Sequence, residues 1–396
     1  MSEHVKDPVV IVGISRTPMG AMQGALSGLS APELGAVAIR GALADAGVDA
    51  ADVDEVLMGC VLPAGVGQAP ARQASLGAGI PQSTPTTTVN KVCGSGMKTV
   101  MMARDALFAG DAKVVVAGGM ESMSNAPYML PKARGGMRLG HGQVLDHMFV
   151  DGLENAADGQ LMGNFAENTA DKYSFSREEQ DEFAIESLAR ANAAIESGAF
   201  EREISPVTVR SRKGELEVSV DEAPGSARPD KIPALRPAFR KDGTVTAANA
   251  SSISDGAAAL VLMRESEAKA RGIKVLAVLR GQTQFAHAPE WFTTAPVSAM
   301  ANLLEKTGWS STDVDLFEIN EAFAVVTMAA MKDLDLPRAK VNVNGGACAL
   351  GHPLGASGAR VIVTLLAALE NRDLKKGVAS LCIGGGEATA VAIERP

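Results

Sequence analysis

Cysteine and histidine are scarce in this chain, with four of one and five of the other. Three of these residues stand where covalent or proton-transfer chemistry is feasible. Cys93 lies in VNKVCGSGMK, a pattern that reads as a strand-to-helix turn with Gly94 and Gly96 beside the sulfur. Glycines there let the backbone turn sharply and let a substrate come close. A helix N-terminus adds free N–H groups and partial positive charge. Both favour thiolate over thiol, and a neighbouring histidine would add to the effect. This is the layout of a nucleophile elbow with sulfur in place of oxygen. The competing reading is a small buried cysteine that fills a helix–strand gap. His352 lies in NGGACALGHPLGASGAR. Pro353 biases it toward an extended conformation, so it belongs to a loop. It is either the base that activates a sulfur or an ordinary hydrogen-bonded loop residue. Cys382, in SLCIGGGEA, ends an apolar strand before three glycines whose N–H groups suit a developing oxyanion. It reads as a second thiol acting as acid or base, or as a buried strand residue. Cys60 and Cys348 read as packing residues. Asn320 and Glu321, in EINEAFA, read locally as a helix cap, with a functional pair as the alternative.

These residues matter together only if the fold brings them together, and an internal duplication supplies a way. Residues 43–60 read LADAGVDAADVDEVLMGC, and residues 304–321 read LEKTGWSSTDVDLFEINE. At one constant offset, Leu43, Gly47, Asp52, Val53 and Asp54 recur as Leu304, Gly308, Asp313, Val314 and Asp315. Each copy reads as a helix end, a Gly stop, a short turn with Asp and an apolar strand. Downstream, both copies run strand, Gly-rich turn, helix, strand, Gly-rich turn. Met97, Val100, Met101, Leu107 and Phe108 keep one helical face apolar in the first copy. Val361, Ile362, Leu365, Leu366 and Leu369 do so in the second. The same offset sets His352 opposite Lys91, two residues from Cys93, so loops related by a pseudo-twofold axis would meet.

The strands VVVAGG and VASLCIGGG are short apolar runs, as expected with both sheet faces covered. Alternating strands and helices predict an α/β layered fold. Between the copies, residues 123–250 differ in character. They hold a polar, Gly-rich stretch and a helix over 176–198 opened by a Ser176/Glu179 capping box. A charged segment with prolines 224, 229, 233 and 237 follows. The expected organisation is a first half at 1–122 completed by about 251–275, an inserted domain at 123–250, and a second half at 276–396.

Composition narrows the function classes. The chain has 396 residues, 46% of them apolar and 21% charged, which argues against disorder and for two or three domains. A net charge of −9 argues against a nucleic-acid binder. The cysteines are too sparse for a disulfide framework and lack C-x-x-C spacing, and the histidines are scattered, so no metal is expected. The segment MSEHVKDPVV lacks the marks of a leader, and no apolar run approaches a membrane span. The expectation is a cytoplasmic protein in a reducing compartment. No GxxxxGK[ST] is present, and VGISRTPMGAMQG lacks dinucleotide-fingerprint spacing.

Taken together these blocks resemble the thiolase family, and within it the short-chain acetoacetyl-CoA thiolases (acetyl-CoA C-acetyltransferases). The resemblance spans essentially the whole chain. It runs through ISRTPMG, NKVCGSGMK, AGGMESMSNAPY, LRPAF, GTVTAANASSISDGAAA, INEAFA, NVNGGACALGHPLGASGAR and LCIGGGEA, in the family's order. It implies two similar βαβαβαββ halves in a five-layer αβαβα arrangement with an inserted loop domain. It implies that Cys93 is acylated, that His352 activates it, and that Cys382 removes the α-proton of a second acetyl-CoA. Asn320 would hold a water that forms one oxyanion hole with His352, and the N–H groups of Cys93 and Gly384 would form the other. The implied reaction joins two acetyl-CoA into acetoacetyl-CoA plus CoA, or reverses this by thiolysis, with no metal or redox cofactor.

The same resemblance implies contacts to the substrate from Phe239, Ala247, Ser251 and Phe323. Arg228, with Lys231, Arg236, Arg240 and Lys241, forms a basic patch suited to the CoA nucleotide or else a solvated loop face. Two departures stand out. Leu161-Met162-Gly163 replaces the His-Met-Gly of many members, which bears on the contacts near Met162. Trp291 and Phe292 bring bulk that is expected to limit acyl length. The stretch 123–147 resembles loops through which members form homotetramers. The alternatives are a broader-chain 3-ketoacyl-CoA thiolase and a non-catalytic CoA or lipid binder.

Overall fold

The computed structural model describes residues 7–211 and 214–396. The leader reading of the first six residues lies outside the described residues. The first half begins with β1 (Val9–Arg16), buried at every position, then α1 (Ala31–Ala46) and β2 (Glu55–Gly59). It continues through α2 (Pro70–Gly77), β3 (Thr86–Val89), α3 (Ser95–Ala109) and β4 (Val114–Ser122). The local chemistry accounts for these limits. Ser30 and Glu33 form a reciprocal capping box at the start of α1, and Gly47 closes it at φ 62°.

The inserted region is not a bare loop. It contributes α4 (Met162–Tyr173) and α5 (Arg177–Glu196), whose start carries the Ser176/Glu179 box read from sequence. It docks on the first half through a buried cluster. The Arg16 guanidinium donates to Glu203 at 2.5 Å and to Asp221 at 2.7 and 2.9 Å. Leaving such a charge unpaired typically costs about 3–5 kcal/mol, so this contact locks the insertion in place.

The chain then completes the first half with β5 (Ser254–Arg264) and α6 (Glu265–Arg271). The second half follows as β6 (Ala277–Ala286), α7 (Ala295–Thr307), β7 (Leu316–Ile319) and α8 (Ala324–Asp333). It ends with α9 (Leu354–Asn371), β8 (Lys376–Ile383) and β9 (Glu387–Glu394). The strand order is β7-β8-β9-β6-β1-β5-β4-β2-β3. The duplication is visible in the pairing. β2–β4 and β7–β8 are parallel, and β4–β5 and β8–β9 are antiparallel. β1–β5 and β6–β9 are antiparallel as well. The place of β3 differs: in the second half it shrinks to one parallel bridge, Phe317 to Val341. The halves join where β1 pairs β6 at Val10–Val278 and Ile11–Ala277.

Three apolar clusters define five layers. Alternate residues of β1, such as Val10 and Val12, pack outward with Ile39 and Ala42 of α1. Ile11, Leu57 and Val115 face inward onto α3 and α9, which also receive Leu381 and Ile393 from the second half. Met300 and Leu303 of α7 cover the outer side of Phe317 and Val378. The sequence pattern suggests one apolar face for α9, but the helix is buried at every position from Leu354 to Leu369. A helix in the middle layer meets apolar surface all round. α3 and α9 approach closely at glycines. A Cβ on Gly358 would lie 2.3 Å from the Met97 nitrogen, and one on Gly96 would lie 2.7 Å from the Ala359 nitrogen.

Candidate active site

The candidate residues converge where strands end, the usual place for a site in an α/β sheet. Cys93 follows β3, Asn320 follows β7, and Cys382 lies near the end of β8 with Gly384 just beyond it. His352 precedes α9. Residues 250–252 stitch the second-half loops to the first half. Ala250 bridges Phe323, the Ser251 N–H donates to the Ala322 carbonyl at 2.9 Å, and the His352 N–H donates to the Ser252 carbonyl at 3.0 Å.

Cys93, His352 and Gly384 line one cleft of about 800 Å³, open mouth included. Its other walls are mostly apolar and include Leu153, Leu161, Met162, Phe239, Phe292, Phe323 and Leu354, with Ser251 as a hydroxyl. Five of the seven expected substrate contacts therefore share this cleft: Met162, Phe239, Ser251, Phe292 and Phe323. Arg228 and Ala247 do not. They line a neighbouring recess with Lys231, Ser252 and Cys348. Cys348 is thus a wall residue as well as a packing one. The expected basic patch is smaller than the sequence suggests, because Arg240 pairs with Asp171 at 2.8 Å and also approaches Glu167 and Asp242. Trp291 is absent from the cleft wall, and the Lys172 ammonium stands over its ring, 4.3 Å from the centroid. Cys382 and Asn320 are fully buried behind the wall.

The turn carrying Cys93 is strained. Val92 has φ 46°, a region that a β-branched residue seldom enters. The Asn90 side-chain oxygen accepts from the Val92 N–H at 2.9 Å, and the Ser95 hydroxyl donates to the Val92 carbonyl at 2.7 Å. α3 has no side-chain cap. The N–H groups of Gly384 and of Cys93 itself both reach the Cys93 sulfur and favour its charged form. Burial nevertheless wins, pushing the thiol up to about 11. The amides favour the thiolate as the sequence suggests, but the depth of the site outweighs them. Burial also lowers the His352 imidazole to about 3, with the Arg360 cation adding to the effect. Cys382 is held well above the usual thiol range by burial, and its second cause is the proximity of Cys93.

His352 is oriented by a residue that the sequence reading passed over. Its Nδ1 lies 2.5 Å from the Ser357 hydroxyl, which itself donates to the Pro353 carbonyl at 2.9 Å. The hydroxyl proton is thus engaged, Nδ1–H donates to Ser357, and Nε2 keeps its lone pair. Nε2 is buried and has no partner. The Asn320 amide nitrogen is 3.4 Å from Nδ1, and Arg360 donates to the Asn320 oxygen at 3.3 Å and to Glu318 at 2.8 Å. Asn320 therefore belongs to the buried network and is no cap; the residue flanking α8 is Phe323. Glu321 is structural, accepting from Asn342, Ser187 and the Cys348 N–H. Glu121 accepts from the N–H groups of Val61, Leu62 and Gly355 and ties the start of α9 to the end of β2. Ser357 had one local signal: a hydroxyl one turn into the helix that follows the histidine loop.

Among the described residues, no group of three or more His, Cys, Asp or Glu could hold a metal ion, and no helix is long and apolar enough to cross a membrane.

Comparison with known proteins agrees with this architecture. The family profile "Thiolase, N-terminal domain" matches residues 9–266, and "Thiolase, C-terminal domain" matches residues 273–395. An acetyl-CoA acetyltransferase of Pseudomonas aeruginosa is 52% identical over 98% of this chain and 99% of its own length. Acetyl-CoA acetyltransferase 2 of Arabidopsis thaliana is 52% identical over 98% of this chain and 96% of its own. The crystal structure of the Bacillus anthracis acetyl-CoA acetyltransferase superposes with a TM-score of 0.96 at 43% identity, covering 98% of this chain and 99% of that one.

Proposed function

This chain belongs to the thiolase family, and we propose that its chemistry runs through an acetyl-Cys93 intermediate. The enzyme is an acetyl-CoA acetyltransferase: it condenses two acetyl-CoA to acetoacetyl-CoA and CoA, and it catalyses the reverse thiolysis. The observation that carries the residue assignment is the unpartnered Nε2 of His352 in the cleft that also holds Cys93.

In the first half-reaction, His352 Nε2 takes the thiol proton as the Cys93 sulfur attacks the acetyl carbonyl. The N–H groups of Cys93 and Gly384 receive the developing oxyanion. The departing CoA sulfur takes its proton from Cys382, which leaves a thiolate there. A second acetyl-CoA then enters, and its thioester oxygen accepts from His352 Nε2–H and from a water held by Asn320. The Cys382 thiolate removes the α-proton. Its raised affinity for protons suits this task, since a thioester C–H is a weak acid. The carbanion attacks acetyl-Cys93, and the released sulfur recovers its proton from His352. Each group ends the cycle as it began, with no resident metal or organic cofactor in the scheme.

The pantetheine arm is assigned to the cleft past Ser251 and Phe323, and the nucleotide to the recess of Arg228, Lys231 and Ala247. The catalytic halves are assigned to 1–122 with 251–275 and to 276–396, with 123–250 covering the first. Tyr128, Leu130, Met137, Leu139 and Val144 are exposed apolar residues on one arm, which supports a homotetramer. Four free thiols suit a cytoplasmic location. The test is mass spectrometry after mixing with acetyl-CoA, together with a thiolysis assay. One acetyl group on Cys93 and turnover of acetoacetyl-CoA are expected. A protein that binds CoA but forms no adduct would overturn the reading in favour of a non-catalytic binder.

A further inference from the structure

The two amides aimed at the Cys93 sulfur come from different halves of the fold, so their spacing depends on how the halves are clamped. Lys91-Val92-Cys93-Gly94 is a tight turn closed by the Gly94 N–H on the Lys91 carbonyl at 3.0 Å. Its second residue is the strained Val92. A strained turn persists only where its surroundings over-determine it. Most of its polar restraints are local: Asn90 and Ser95 belong to the same segment. One side-chain link crosses to the second half, where Lys91 Nζ pairs with the Glu387 carboxylate.

Glu387 is well chosen for this. It pairs with Ile383 at the base of the β8–β9 hairpin, whose loop is Gly384-Gly385-Gly386. Gly384 opens that loop, and Gly385 and Gly386 follow at φ 93° and 91°. An all-glycine loop has no side chains to fix it. The pair thus joins the first residue of one oxyanion turn to the residue closing the other.

We propose that the Lys91–Glu387 ion pair is a positioning clamp that holds the Cys93 and Gly384 amides at the spacing the oxyanion requires. Lys91 is only 19% exposed and Glu387 37%. Solvent still reaches the carboxylate and screens the pair, so its contribution is assigned to geometry rather than to stability. The inference rests on the acyl-transfer reading of the same site.

The test measures the burst of CoA released from acetyl-CoA, with steady-state kcat and KM, in Lys91→Met, Glu387→Gln and the doubly reversed Lys91→Glu/Glu387→Lys enzyme. Because small misplacements of reacting groups are costly, each single variant is expected to slow acylation about tenfold with KM within about twofold. The reversed pair restores the geometry and should recover most of the rate. A single variant within about twofold of wild type in acylation overturns the clamp, as does a reversed pair no faster than the singles. A KM that rises as much as kcat falls also overturns it, since Lys91 would then be a binding charge. Failure of the wild-type enzyme to acylate Cys93 would instead overturn the underlying reading, and the clamp with it.

Discussion

Removing the Ser357 hydroxyl should cripple His352 without touching the substrate. In the native arrangement Ser357 spends its proton on the Pro353 carbonyl at 2.9 Å and offers a lone pair to His352 Nδ1 at 2.5 Å. That bond fixes the proton on Nδ1 and leaves Nε2 free to act as a base. In Ser357→Ala the buried Nδ1–H loses its acceptor. The Asn320 amide, 3.4 Å away, is a donor and favours the opposite tautomer, in which Nε2 carries the proton. An unsatisfied buried donor costs about 1–3 kcal/mol, which converts to about 5- to 150-fold in the acylation rate. The assay is stopped-flow release of CoA on mixing with acetyl-CoA. KM should change little, and Ser357→Thr, which keeps a hydroxyl, should recover part of the loss. A Ser357→Ala enzyme that acylates within twofold of wild type would refute the tautomer argument.

Four further outcomes follow from the same geometry. The thiol is pushed up to about 11, so its reactive thiolate fraction grows with pH up to that value. Inactivation by iodoacetamide should therefore climb about tenfold per pH unit between neutrality and pH 10, and a plateau near pH 8 would show a preformed thiolate instead. Phe292→Ala opens the cleft wall, so 3-ketohexanoyl-CoA should gain about tenfold over acetoacetyl-CoA in kcat/KM. The wild-type enzyme should prefer acetoacetyl-CoA, tested also against 2-methylacetoacetyl-CoA; preference for the longest chain would favour the broader 3-ketoacyl-CoA reading. Gly358→Ala sets a Cβ 2.3 Å from the Met97 nitrogen, and denaturant unfolding should register a loss of about 1–3 kcal/mol or more. Unchanged stability would mean that α3 and α9 have room to separate.

What could be read from the sequence was local or repeated. The Ser176/Glu179 box needs only four neighbouring residues, and it opens α5 where the pattern says it should. The turn around Cys93 announces itself through its glycines. The offset that aligns Leu43 with Leu304 led to the paired halves and set the His352 loop against the Cys93 loop. What escaped was set by depth and by distant contacts. The helix-amide argument for a thiolate at Cys93 is sound at a surface but loses to burial, and burial is not written in ten residues. α9 was legible as a helix, but not as one enclosed on all sides. Asn320 reads as a cap until Arg360, 40 residues further on in α9 and itself paired with Glu318, is seen to hold its amide oxygen. The Lys91–Glu387 pair joins segments separated by most of the chain and has no local signature.

The division of labour between the two sulfurs is the most exposed part of the scheme. The direct measurement is single-turnover mass spectrometry and product analysis of Cys93→Ser and Cys382→Ser enzymes mixed with acetyl-CoA. The scheme predicts no acetylated enzyme for Cys93→Ser. For Cys382→Ser it predicts an acetyl group that accumulates on Cys93 without yielding acetoacetyl-CoA. Loss of the adduct in both, or condensation by Cys382→Ser at the wild-type rate, would contradict it.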